Sequence, residues 1–189
     1  KTVIGILRNI LKPAVAAASL VALLATAAVS QSDRLETLMA ELKGSSPEEA
    51  SRIAADIQLE WQKSGSASAD LLLTRGLKAL EAGQFRSAIE HFTALTDHAP
   101  GFAEGWVGRA SAFAHSDMFG PALSDLETAL EINPQHFEAI IGLGAILEVI
   151  ERPEDAYEAY QLVRTIHPHH PAVTEALARL ELVVMGRKL

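Results

Sequence analysis

Three prolines, Pro100, Pro134 and Pro168, follow one another at a spacing of 34 residues. Twelve residues before each proline stands an alanine (Ala88, Ala122, Ala156), and four after each alanine a large side chain (Phe92, Leu126, Tyr160). Twelve residues before each alanine the chain places a small residue: Gly76, Ala110, Gly144. A sustained period of this length means that each unit is one supersecondary element packed only on its neighbours. The register divides the chain into Ala69–Phe102, Ala103–His136 and Phe137–His170. Within a unit, the small residues let two antiparallel helices approach and the large ones fill the space between them. The segments "EAGQF", "HSDMF" and "IERPE" lie between the two helical patterns and carry polar, Gly or Pro turn residues. Each proline ends the second helix, because it lacks an amide donor and clashes with the turn before it. The composition agrees: 49% of the residues are apolar but 5% are aromatic, and the apolar share is largely Ala and Leu, a helix-forming mixture.

The units resemble tetratricopeptide repeats, whose pattern runs W-x2-L-G-x2-Y, then A-x3-F, then P. The second unit matches it at Trp106, Ala110, Phe113, Ala122, Leu126, Ala129 and Pro134. Matches in the third are Leu143, Gly144, Ala156, Tyr160 and Pro168, and in the first Gly76, Ala88, Phe92 and Pro100. Arg75 and Arg109 stand where the pattern has Leu, and Leu72 and Ile140 replace its Trp. The resemblance covers residues 69–170 and implies an all-α, right-handed α-α superhelix of three units. It also implies a concave groove lined by the first helix of each pair. Carried over unit by unit, the groove positions are Asp70, Leu73, Thr74, Leu77 and Glu81, then Glu104, Val107, Gly108, Ser111 and His115. The third unit adds Glu138, Ile141, Gly142, Ala145 and Glu148. Such a surface is apolar with an acidic edge, suited to a protein or peptide segment with apolar and basic side chains. Some cochaperones with these repeats clamp a C-terminal carboxylate with Lys and Asn; neither residue occupies these positions.

Flanking helices complete the stack. In residues 31–68, "DRLETLMAELK" puts Leu35, Leu38, Met39 and Leu42 on one stripe. Ser46, Pro47 and Glu49 then form an N-cap, a first-turn proline and a capping-box partner. Ala50, Ile53, Ala54, Ile57 and Trp61 follow on one face, so a hairpin is expected to cap the first unit. At the other end, residues 171–189 place Val173, Ala176, Leu177, Leu180 and Val184 on one side of a capping helix.

Residues 1–30 read differently. Lys1, Arg8 and Lys12 precede the uncharged run "PAVAAASLVALLATAAV", and no acidic residue occurs before Asp33. This is the pattern of an export signal, with cleavage expected after Ala27 or Ser30 and a periplasmic destination. The alternative is an uncleaved anchor in the inner membrane, although Pro13–Val29 is shorter than the roughly 20 residues a spanning helix needs. Three of the 16 basic residues and none of the 24 acidic ones lie in this segment, leaving 13 against 24, or −11. Nucleic acid is therefore an unfavourable partner, since it demands clustered Lys and Arg.

No catalytic constellation is expected. The chain has no cysteine, no G-x-S-x-G, no phosphate-binding G-x-x-x-x-G-K and no H-E-x-x-H. "GLGA" at Gly142–Ala145 falls inside a helix and serves close packing. Arg75 and Arg109 are expected to pair with carboxylates between helices. The stretch "TIHPHHP" places His167, His169 and His170 around the third periodic proline, in the turn that holds Asn133, Gln135 and His136 one unit earlier. Turn residues flanking a proline rarely aim at one point, so no metal and no cofactor is expected. The sequence thus predicts a non-catalytic scaffold of the bacterial cell envelope, or alternatively a membrane-tethered subunit of a larger complex.

Overall fold

The computed structural model describes residues 33–186, all in helices and short turns. The segment expected to be a signal or anchor lies outside them. In chain order the helices are α1 (33–44), α2 (Pro47–Trp61), α3 (Ala67–Glu81), α4 (Phe85–His98) and α5 (Ala103–Ala114). They continue as α6 (Phe119–Ile132), α7 (Phe137–Val149), α8 (Pro153–Ile166) and α9 (Pro171–Gly186). The chain divides into two compact units, Lys1–Thr37 and Leu38–Leu189. Only 33–37, the opening of α1, is described in the first.

In the second unit α3–α4, α5–α6 and α7–α8 are the three antiparallel pairs, and each first helix packs against the second helix of the pair before it. The predicted small-against-large contacts form. An ideal Cβ on Gly76 would sit 2.5 Å from the Phe92 ring, and one on Gly144 2.7 Å from Tyr160. Phe92 is fully buried among Ala69, Leu73, Ala88 and Leu95. Burying a ring of that size contributes about 1.5–3 kcal/mol, so glycine at the point of closest approach is what lets the two helices share it.

The turn inside each pair repeats with the same period. Gly83, Asp117 and Glu151 all adopt left-handed φ, at 69°, 57° and 60°. The amides of Gln84, Met118 and Arg152 then donate to the carbonyls of Ala79, Phe113 and Leu147 at 2.8–2.9 Å. This is the six-to-one bond of a Schellman ending, which satisfies carbonyls that the helix end leaves open. Of the expected pairings, Arg109 makes a bidentate bond to Asp125 (2.7 and 2.8 Å) while its Nη1 donates to Thr93 and Thr96, tying α5 to α4 and α6. Arg75 is exposed.

Ahead of the repeats the chain forms α1 and α2. Glu49 accepts from the Ser46 amide at 3.3 Å, as a capping box requires, and Ala50, Ile53 and Ile57 are buried. Side-chain contacts from α2 reach the junction of the second and third units. Trp61 stacks on His136 with ring centroids 4.1 Å apart, lies 4.8 Å from the Phe137 ring, and Gln58 Nε2 donates to Glu138 Oε1 at 2.7 Å.

Candidate functional site

The first helices α5 and α7 stand side by side and leave a cavity of about 460 Å³ between them. Its floor belongs to α6. Units one and three carry a ring at the position that fills the helix gap, Phe92 and Tyr160, whereas unit two carries Leu126. The shorter side chain leaves room. A Cβ added at Gly108 would lie 2.3 Å from Phe92, but one at Gly142, a full repeat later, would lie 3.6 Å from Leu126. The space opened by that difference is lined by Leu126 and Phe119 below and by aliphatic and small side chains of α5 and α7 on either side.

Seven of the expected groove residues meet in this cavity: Val107, Ser111, His115, Glu138, Ile141, Gly142 and Ala145. The five positions from α3 are elsewhere. Thr74 and Glu81 are exposed, Asp70 and Leu77 half-buried, and Leu73 is only 3% exposed within the first unit's core. Leu73 packs in the same core cluster as Phe92. Gly108 is likewise buried against Phe92 rather than facing the groove.

Glu148 is displaced by one residue of register. The 34-residue step from His115 leads to Val149, and Val149 lines the cavity, 61% exposed. Glu148 turns the other way. It accepts a hydrogen bond from Tyr160 Oη at 3.0 Å and pairs with Arg179 of α9. The hydrogen bond from Arg179 outweighs burial and holds its carboxyl below the usual range.

The acidic edge is largely committed within the molecule. Asp70 accepts from the Ser64 amide and hydroxyl, at 3.1 and 2.5 Å. Glu104 meets His136 Nε2 at 3.2 Å, while His136 Nδ1 accepts the Ala139 amide at 3.3 Å and so caps α7. That acceptor role fixes the tautomer: the proton is on Nε2 and points to Glu104. Glu138 has Gln58 as its hydrogen-bond partner. At the far end of the cavity His115 stacks on Phe85, ring centroids 4.9 Å apart and planes 5° apart.

Two of the three clustered histidines have separate structural tasks. His170 Nδ1 accepts the Val173 amide at 3.3 Å, the same cap on α9 that His136 supplies one unit earlier. His167 is 3% exposed, its ring edge-on to Phe137 and to His170, and burial together with His170 and His169 pushes its pKa down to about 4. Among the described residues no group of three or more His, Asp or Glu is arranged to hold a metal ion. Also missed from the sequence were the cavity residues Ala110, Ala114, Phe119, Leu126 and Ile146. The signal for them was the break in the Phe–Leu–Tyr series at positions 92, 126 and 160.

Comparison with known proteins places this geometry. Two family models described as tetratricopeptide repeat match residues 73–117 and 114–180. A TPR repeat-containing protein of Rhizobium etli is 31% identical over 163 residues, covering 86% of this chain and 80% of that protein. The small glutamine-rich tetratricopeptide repeat-containing protein 2 of Saccharomyces cerevisiae is 31% identical over 113 residues, covering 60% of this chain and 32% of its own length. Among solved structures, the first TPR domain of Spaghetti (RPAP3), bound to the HSP90 peptide SRMEEVD, superposes with a TM-score of 0.61. It is 26% identical and covers 64% of this chain and 95% of that one.

Proposed function

This chain belongs to the tetratricopeptide repeat family, and from that premise we propose that it is a non-catalytic scaffold of a bacterial cell envelope, holding a partner protein's segment in the α5–α7 cavity. The observation that carries the reading is a preformed concave space on the first-helix side, walled by Val107, Ile141, Ala145 and Val149. Apolar concave sites of this size are where proteins bury ligand side chains. The Spaghetti domain with its bound HSP90 peptide supports peptide capture by this fold. Placement in the envelope rests on the uncharged run Pro13–Val29 behind Lys1, Arg8 and Lys12. Among the described residues no helix is long and apolar enough to cross a membrane.

A photo-crosslinking residue at position 111, inside the cavity, is expected to trap one partner in the source cell. The same residue at Glu127, exposed on α6, is expected to trap none. Equal adducts at both positions, or none at 111, defeat the groove reading. Intact mass of the native protein separates export from tethering: loss of residues 1–27 or 1–30 leaves no anchor, whereas full mass in the membrane fraction favours the subunit of a membrane complex.

A further inference from the structure

Among the described residues Glu138 is the one carboxylate lining the cavity, and its partner is a neutral amide delivered from 80 residues away in the chain. Among these residues no lysine or arginine lines the cavity, and the only other titratable side chain is His115, stacked on Phe85. A half-buried carboxylate held by a primary amide is under-compensated, because a cation would bind it more strongly in the same geometry. The last turn of the helix supplying that amide meets the junction of the second and third units: Gln58 on Glu138 and Trp61 on His136 and Phe137. Trp61 Nε1 is buried with no hydrogen-bond partner, so this seat is not an optimised one.

Resting on the groove reading above, the geometry points to Glu138 as the residue that selects the partner: the cavity takes aliphatic side chains of a helical segment, and a lysine or arginine one turn along that segment displaces Gln58 from Glu138. The exchange replaces a neutral hydrogen bond with a charge-assisted one at the mouth of an apolar cavity. It also frees the last turn of α2, so occupancy of the groove is transmitted to the N-terminal hairpin. An acidic peptide such as SRMEEVD, the ligand of the Spaghetti domain, would instead set carboxylates against Glu138 with no cation in reach. Specificity here comes as much from that repulsion as from the attraction.

The test uses the full chain and two probes, a 16-residue amphipathic peptide of Leu, Ala and Lys and its counterpart with every Lys replaced by Glu, each titrated at about 0.15 M salt, where long-range attraction to the acidic chain is screened. The expected result is at least tenfold tighter binding of the Lys peptide, with amide shifts at Val107, Ser111, Ile141 and Ala145. Glu138→Gln should cut the preference to threefold or less, while Glu127→Gln, an exposed carboxylate on α6, leaves it unchanged. Gln58→Ala, which removes the competitor, should tighten the Lys peptide about threefold. Amide exchange in 58–61 should rise on binding. A preference that survives in Glu138→Gln, or exchange in 58–61 that ignores the peptide, overturns this inference while leaving the groove reading intact. Absence of shifts at the cavity with either peptide overturns both.

Discussion

Gly108 and Gly142 occupy the same place in consecutive units, yet alanine at the two sites is expected to act with opposite sign. Either substitution removes the conformational freedom of a mid-helix glycine, a gain of about 1 kcal/mol. At 142 the new methyl stands 3.6 and 3.7 Å from the two terminal carbons of Leu126, ordinary contact that adds a little burial. The net for Gly142→Ala is a stabilisation of about 1 kcal/mol, a rise in Tm of roughly 2–4 °C for a chain of this size. At 108 the methyl would stand 2.3 and 2.4 Å from Phe92 Cε1 and Cζ. Reaching a contact of about 3.5 Å requires the ring to retreat more than 1 Å. Phe92 is fully buried and Gly76 already approaches the same ring carbons, so no retreat is open. Overpacking at the upper end of the usual range, about 3 kcal/mol, less the propensity gain, leaves Gly108→Ala destabilised by about 2 kcal/mol. Urea unfolding by circular dichroism reads the difference as midpoints moving in opposite directions at constant m. Adding Phe92→Leu to Gly108→Ala should return part of the loss, a coupling that a double-mutant cycle isolates. Two midpoints moving the same way, or no coupling with Phe92, would refute the account of how these helices pack.

The left-handed turns make a second comparison: Glu151→Gly should stabilise by about 0.5–1 kcal/mol and Gly83→Glu destabilise by about 1 kcal/mol, read from thermal melts, because a side chain at positive φ is strained. Asp125→Ala strands the Arg109 guanidinium, which is only 15% exposed, and should cost about 3 kcal/mol in urea, whereas Arg109→Met with Asp125→Leu should recover most of it. For His167 the folded pKa of about 4 lies below the ordinary 6.5, so the unfolded chain binds the extra proton first. Its contribution is whole above pH 6.5 and is lost as the pH falls toward 4, by at most roughly 3 kcal/mol; in His167→Leu that acid-side slope should shrink in a pH series of urea melts.

The period, the helix pairs and their turns were legible because they depend on residues close in sequence. Gly76 against Phe92 and Gly144 against Tyr160 are contacts within one unit, and a repeated spacing announces them. The groove was legible only in part. Leu73 shares its register with Val107 and Ile141 yet is buried in the first unit's core, and Glu148 stands one residue before Val149, which lines the cavity. The acidic edge failed for a different reason. The hydrogen bonds that occupy Glu104 and Glu138 come from His136 and Gln58, 32 and 80 residues away, and no local pattern encodes them. The histidine turn lies between these cases. Its place in the period was readable, while the imidazole caps on α7 and α9 depend on ring orientation that only the folded chain supplies.

A repeat protein is stabilised by what its units share and functions through where they differ. Every unit needs small residues opposite a large one, and two of the three satisfy this with an aromatic ring. Leu126 meets the requirement minimally: it is 3% exposed and packs with Ala110, Ala122 and Ala129, yet it leaves unfilled the volume a ring would take. Gly142 and Ala145 enlarge that volume from the opposite helix, and neither is needed for α7 to pack on α6, since a Cβ fits at 142. Three departures from the bulkier choice, on two helices and all facing one space, are hard to account for by stability, which each of them lowers. A site that receives another side chain accounts for them, because the missing volume is then supplied by the partner. Leu126→Phe therefore separates the two explanations: it should hold or raise the urea midpoint while abolishing binding of the Lys peptide, whereas a merely loose core would gain stability with nothing lost.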